Sequence, residues 1–235
     1  MGGKVGIIAN PASGKDIRRL VAFGSVFDNE EKVSIVRRIL LGLEAAGVEE
    51  IVIMPDTYGI GDRALEGSGK RKLSPKVDFL TMEIGHGGAD STRAADKMQA
   101  LSVAAIVVLG GDGTCRAVAK GCEQVPLVAV STGTNNVFPV MVEGTIAGLA
   151  AGVVATTDAG VIRPAKKLDV YGPEGWRDLA LVDAVVTNET FIASRALWDI
   201  ERIEAIVATR AEPHTIGLSA VAGCLSPVGP EEPAR

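Results

Sequence analysis

The 235-residue chain is 47% hydrophobic but only 4% aromatic, holds 28 glycines and carries a formal net charge of −5. That length exceeds the usual size of one domain and gives ample sequence to bury a core, so two modest domains are expected. The lack of a basic footprint and the shortage of stacking rings exclude nucleic acid and an anionic membrane surface as partners, so any phosphate must be attracted by local groups.

Residues 4–9 read as a first strand, followed by the loop Asn10-Pro11-Ala12-Ser13-Gly14-Lys15-Asp16. A Walker A loop is excluded, because Ala9 stands where the first glycine belongs and Asp16 where the metal-binding hydroxyl belongs. Lys15 is either a phosphate ligand or a solvated loop cation. Residues 34–46 have helical spacing ended by Gly47, residues 50–54 give a second strand, and a third is expected near 77–82. His86, in Gly85-His86-Gly87-Gly88, is a base or simply a surface histidine, and Asp90-Ser91-Thr92 opens a helix through Met98.

Residues 104–109 form a continuous apolar run, the pattern of a central parallel strand covered on both faces. Gly110-Gly111-Asp112-Gly113-Thr114 follows at once. Gly110, Gly111 and Gly113 are expected to take positive φ and to let backbone N–H groups approach a phosphate, with Thr114 capping a helix that runs to Lys120. Asp112 is then the group able to hold Mg²⁺ or to take a proton from a hydroxyl. Arg116, one turn on, is a phosphate partner or a solvated helix face. Residues 125–130 form the next strand, ending at Ser131-Thr132-Gly133-Thr134-Asn135-Asn136.

Strands alternating with helices imply an α/β fold with a doubly wound parallel sheet, whose ligands bind outside the carboxyl ends of the strands. The three polar loops after residues 9, 109 and 130 lie at those ends and are expected to converge on one site.

Beyond residue 140 the pattern changes. A Gly/Ala helix over 143–154 leads to strand-like segments at 167–171, 178–187 and 202–209, a β-rich C-terminal domain. The domains are therefore expected at 1–140 and 141–235, the second either whole or truncated, with 226–233 a disordered segment or tether. The apolar stretch 145–156 is too short to span a bilayer, and its glycines, with three residues between them, suit a packed helix. The start of the chain has no apolar signal region, so the expected location is cytoplasmic. Cys115, Cys122 and Cys224 lack zinc or disulfide spacing; Cys115 beside the glycine loop is a reactive thiol or a small buried hydrophobe.

In these ordered motifs the chain resembles the ATP-NAD kinase superfamily, in particular its acetoin-catabolism protein X-like branch, which is related to diacylglycerol-type kinases. Asn10-Pro11-Ala12-Ser13-Gly14 resembles the opening Asn-Pro loop, and residues 110–114 match the superfamily signature. The resemblance implies an NAD kinase-like fold in which Asp112 activates the acceptor hydroxyl and Asn10, Gly110, Gly111, Gly113, Thr114, Gly133, Thr134 and Asn135 surround the nucleotide phosphates. Thr187-Asn188-Glu189 is similar to the Asn-Glu motif of NAD kinases, which makes Asn188 and Glu189 the acceptor-binding pair. By position alone they follow an apolar strand, where they either grip ribose hydroxyls or an adenine edge or cap a helix over 191–197. His214 to Gly223 is a weaker echo of a glycine- and serine-containing segment, and residues 133–138 are nearer to lipid kinases than to NAD kinases, although Val137 replaces their acidic residue.

The expected activity is thus phosphoryl transfer from ATP, with Mg²⁺, to a hydroxyl, foremost the adenosine ribose 2′-hydroxyl of NAD. The alternatives are a lipid or small-alcohol kinase and a nucleotide-binding accessory protein of acetoin catabolism without turnover. ATP and polyphosphate both stand as donors, and the resemblance implies a homo-oligomer.

Overall fold

A computed structural model describes residues 3–14, 27–66, 72–85, 87–189 and 199–234. The chain divides into two compact units, the second made of Pro164–Arg235 with Asn135–Phe138 and a short earlier segment.

The first unit is the expected parallel sheet. Strands β1 (Lys4–Ala9), β2 (Glu50–Ile53), β3 (Lys76–Phe79), β4 (Ala105–Gly110) and β5 (Leu127–Ser131) lie in the order β3-β2-β1-β4-β5, every neighbouring pair parallel. The apolar runs of β1 and β4 put Ile7, Ile8, Val107, Val108 and Leu109 wholly out of solvent, as strands covered on both faces require. Chain order runs outward from β1 to β3 and then resumes on the other side at β4. The sheet therefore reverses direction between β1 and β4, and the loops after these two strands flank the crevice where such sheets take their ligands.

Helices α1 (Asn29–Ala45), α2 (Ile60–Glu66), α3 (Gly88–Ala100), α4 (Asp112–Ala119) and α5 (Gly144–Thr156) complete this unit. Asp28 caps α1, its carboxylate accepting the Glu31 N–H at 2.7 Å. The Gly/Ala helix α5 packs on α1 because glycine lets the two backbones touch. A Cβ at Gly148 would meet the Ile39 carbonyl oxygen at 2.3 Å, and one at Gly42 the Thr145 carbonyl oxygen at 2.4 Å. Gly148→Val is accordingly expected to cost about 1–3 kcal/mol through overpacking, and to lower the melting temperature by several degrees in a thermal scan. No helix among the described residues is long and apolar enough to cross a membrane.

The second unit contains antiparallel pairs. Strands β6 (Leu168–Tyr171) and β7 (Arg177–Ala180) form one, and β8 (Asp183–Thr187) pairs with β9 (Ile203–Ala208). The single strand expected over 178–187 is thus two strands with different partners. The break is held by Thr209, whose hydroxyl donates to the carbonyls of Leu181 at 2.7 Å and Val182 at 3.0 Å. Helix α6 (Leu218–Leu225) follows, and the segment after it is not a tether. Ala211 and Val228 exchange both main-chain hydrogen bonds, at 3.0 and 2.9 Å, and Lys166 Nζ donates to the carbonyls of Gly229 and Glu232. Buried apolar surface at Ala208, Ala211 and Val228 supplies the driving force that the segment's Pro-rich composition conceals.

Candidate functional site

Where β4 ends, the glycine-rich turn is built by close approach rather than by unusual dihedrals. Gly111, the N-cap of α4, has φ −104° and ψ −171°, ordinary extended backbone, and neither Gly110 nor Gly113 has positive φ. The expectation of left-handed glycines there is corrected. Gly110 is required for space, because a Cβ would lie 2.5 Å from the Thr114 Cβ. No atom of the described residues lies within 4 Å of a Cβ built on Gly113, so α4 is open to an approaching ligand at that position.

Thr114 is likewise not the cap. Its N–H and that of Cys115 both donate to the Gly111 carbonyl at 3.0 Å, placing Thr114 in the third position of the helix. Its side chain, only 5% exposed, turns back toward β1 and accepts from Asn10 Nδ2 at 2.9 Å. Asn10 Oδ1 accepts the Ala12 N–H at 2.9 Å, closing the Asn-Pro loop on itself. One amide side chain therefore fixes the loop after β1 and joins it to the helix that carries Asp112.

Asp112 is the first residue of α4, where the helix dipole favours a carboxylate. It is half-buried, and its negative charge acts on the neighbouring Cys115. Burial chiefly, and that charge second, push the Cys115 thiol up to about 12. Burial also raises Cys122. A reactive Cys115 is thereby excluded at neutral pH, and the small buried hydrophobe is what the site contains. Both thiols stay protonated in the folded chain where the unfolded chain ionises, near 9.0, so stability is complete below that pH and declines above it, for Cys115 until about 12. A disulfide-exchange thiol reagent at pH 7.5 is expected to modify exposed Cys224 and to reach Cys115 and Cys122 only after denaturant is added.

The loop after β5 joins the same edge. Thr132 N–H donates to the Gly110 carbonyl at 3.2 Å, and its hydroxyl donates to Ser13 Oγ at 3.2 Å, so Gly133 and Thr134 leave the sheet directly beside the glycine turn. Asn135 belongs to the second compact unit with residues 136–138.

A residue without any motif proves central. Lys32, on the inner face of α1, is wholly buried, and its ammonium donates to the carbonyls of Asn10 at 3.1 Å, Pro11 at 3.2 Å and Ser13 at 2.6 Å, and to Asn29 Oδ1 at 3.0 Å. Its sequence signal is helical phase: Lys32 lies three residues before Ile35 and four before Val36, both on the buried face.

In the second unit, Asn188 and Glu189 follow β8. Asn188 is exposed and its N–H donates to the Arg202 carbonyl at 3.2 Å, while the Glu189 carboxylate faces the Arg202 guanidinium at 3.3 Å. Arg202 also reaches Asp199 at 3.1 Å. The proposed capped helix over 191–197, Lys15 and His86 lie outside the described residues.

For a metal, the described residues hold no group of three or more His, Cys, Asp or Glu side chains able to enclose one. A single carboxylate beside open space fits instead the mode in which Mg²⁺ is shared between one protein carboxylate and substrate phosphates.

Residues 5–158 match the family described as the ATP-NAD kinase N-terminal domain, and residues 166–234 the acetoin catabolism protein X C-terminal domain. Among curated proteins, this chain is 45% identical over 242 residues to acetoin catabolism protein X of Cupriavidus necator, an alignment covering 97% of this chain and 67% of that protein.

Proposed function

Since the chain belongs to the ATP-NAD kinase family, with an acetoin catabolism protein X C-terminal domain behind the kinase domain, we propose that it transfers the γ-phosphoryl group of ATP to a hydroxyl, foremost the 2′-hydroxyl of the adenosine ribose of NAD. The observation that carries this reading is the placement of Asp112 on the first turn of α4, at the point where the sheet reverses, in a turn tied to the Asn-Pro loop by the 2.9 Å hydrogen bond from Asn10 to Thr114.

In this reading the main chain of residues 110–113 receives the phosphates at the amino end of α4, with the open space over Gly113 admitting them. Asp112 orients the acceptor hydroxyl and accepts its proton as the oxygen attacks phosphorus in line with the departing diphosphate. Asp112, together with the phosphates, would hold Mg²⁺, which would supply charge neutralisation on the transferred group. Gly133, Thr134 and Asn135 are assigned to the phosphates, and Asn188 and Glu189 to the acceptor. The rate enhancement comes from positioning and electrostatics, which this chemistry mainly requires.

A second reading, a nucleotide-binding accessory protein without turnover, draws support from the name of the Cupriavidus necator relative. One experiment separates the two: consumption of ATP with Mg²⁺ by the purified protein, screened against NAD, NADH, diacylglycerol, sphingoid base and short diols, in parallel with ATP titration. ATP binding with no acceptor-dependent turnover supports the accessory role, turnover with a diol or lipid moves the acceptor, and turnover with NAD supports the leading reading.

A further inference from the structure

We propose that Lys32 is a positioning residue for Asp112, acting through a relay that runs from its buried ammonium through the Asn-Pro loop to the first turn of α4. The inference rests on the kinase reading for its kinetic consequence, and on the hydrogen bonds alone for its structural one.

A lysine at 0% exposure is costly unless its donors are satisfied, and here an ammonium with three donors sits among four oxygens. Three of these are successive or near-successive carbonyls of one loop, at residues 10, 11 and 13. Carbonyls do not ordinarily point toward one centre within a single turn; a buried cation makes that arrangement favourable and fixes it. The fourth oxygen belongs to Asn29 in the first turn of α1, so the loop is anchored to a helix rather than to solvent.

The fixed loop has two outgoing contacts. Asn10, whose carbonyl is held by Lys32, donates through its side chain to Thr114. Ser13, whose carbonyl makes the shortest of the four contacts, accepts at its hydroxyl from Thr132. Lys32 thus touches one loop directly and, through that loop, sets the loops after β4 and β5. Asp112 lies two residues from Thr114 on the same helical turn. Phosphoryl transfer depends on placement to within fractions of an ångström, so a slackened relay reduces the rate more than the affinity for ATP.

The test compares wild type with Lys32→Met, which keeps most of the side-chain volume but no donors. Lys32→Arg keeps the charge in a planar fork unable to match the same acceptors. Thr114→Val cuts the far end of the relay. Hydrogen–deuterium exchange without ligand is read for residues 110–116, with α3 and β2 as internal references. Exchange at 110–116 is expected to rise about tenfold or more in each variant while the references stay within about twofold, and Lys32→Met combined with Thr114→Val is expected to add nothing further. With an established acceptor, kcat of the two Lys32 variants is expected to fall about tenfold or more and their KM for ATP to change by less than about threefold.

Lys32→Arg decides the matter if Lys32→Met does not fold. Unchanged exchange at 110–116 in either folded Lys32 variant overturns the relay, as does a rise shared equally by α3 and β2, which marks a purely structural lysine. A rise confined to 110–116 in a protein that turns over no acceptor supports the relay and counts against the kinase reading instead.

Discussion

Asp112→Asn is expected to lower kcat by about 10²–10⁴-fold while the dissociation constant for ATP stays within a few fold of wild type. The asymmetry follows from where the residue sits. The phosphate-facing part of the turn is main chain, shaped by Gly110, by the Gly111 cap and by the Asn10–Thr114 bond, none of which uses the Asp112 carboxylate. Asparagine preserves the shape and one acceptor oxygen, but neither takes a proton from the acceptor hydroxyl nor binds a cation with comparable strength. The fold should survive, because losing the favourable interaction of a carboxylate with the helix dipole in the first turn costs about 0.3–1 kcal/mol. Initial rates with the acceptor found by screening, ATP calorimetry and circular dichroism on the same preparation check each part. Turnover near that of wild type in a folded Asp112→Asn protein removes Asp112 from the chemistry.

How much of this is legible in the sequence depends on the range of the interaction. β1 is readable to the residue, and β4 to within one, because strands buried on both faces need unbroken apolar runs and no partner has to be known. The crevice at the sheet reversal follows from the βαβ alternation. The brace across it does not: Asn10 and Thr114 are 104 residues apart, and each has a local role that sequence reading prefers, turn former for one and helix cap for the other. Lys32 is hidden for a related reason. A lysine on a helix is assigned to water by default, and only the carbonyls of a loop 19 to 22 residues away make burial favourable. The glycines after β4 are necessary, as their pattern suggests, yet not left-handed, since composition does not distinguish a glycine needed for φ from one needed for space. The run over 179–186 conceals a change of partner because no Gly or Pro marks it, and the Thr209 contacts that fix it come from 27 and 28 residues away.

Replacing Asn188 and Glu189 together by alanine is expected to weaken NAD binding by about 10²-fold or more and to leave ATP binding unchanged. The reasoning begins with what holds the pair. Its main chain is fixed independently of its side chains, by Asn188 N–H on the Arg202 carbonyl and by Glu189 N–H on the Thr187 hydroxyl at 3.1 Å, so truncation should not displace the segment. The Asn188 amide is presented outward, with donor and acceptor both suited to a ribose or an adenine edge. Glu189 is different, because its carboxylate already faces Arg202, and removing it also removes an ion pair. That pair is partly exposed, so it contributes under about 1 kcal/mol. Arg202→Met removes the same pair and keeps Glu189; its NAD affinity should stay within about fivefold of wild type, whereas a loss matching the double alanine variant would trace the effect to the ion pair rather than to ligand contact. Titration of wild type with NAD comes first. Absence of saturation at millimolar NAD removes NAD as the acceptor and leaves the Asp112 experiment intact, while saturable binding that survives the double substitution keeps NAD and moves its site away from β8.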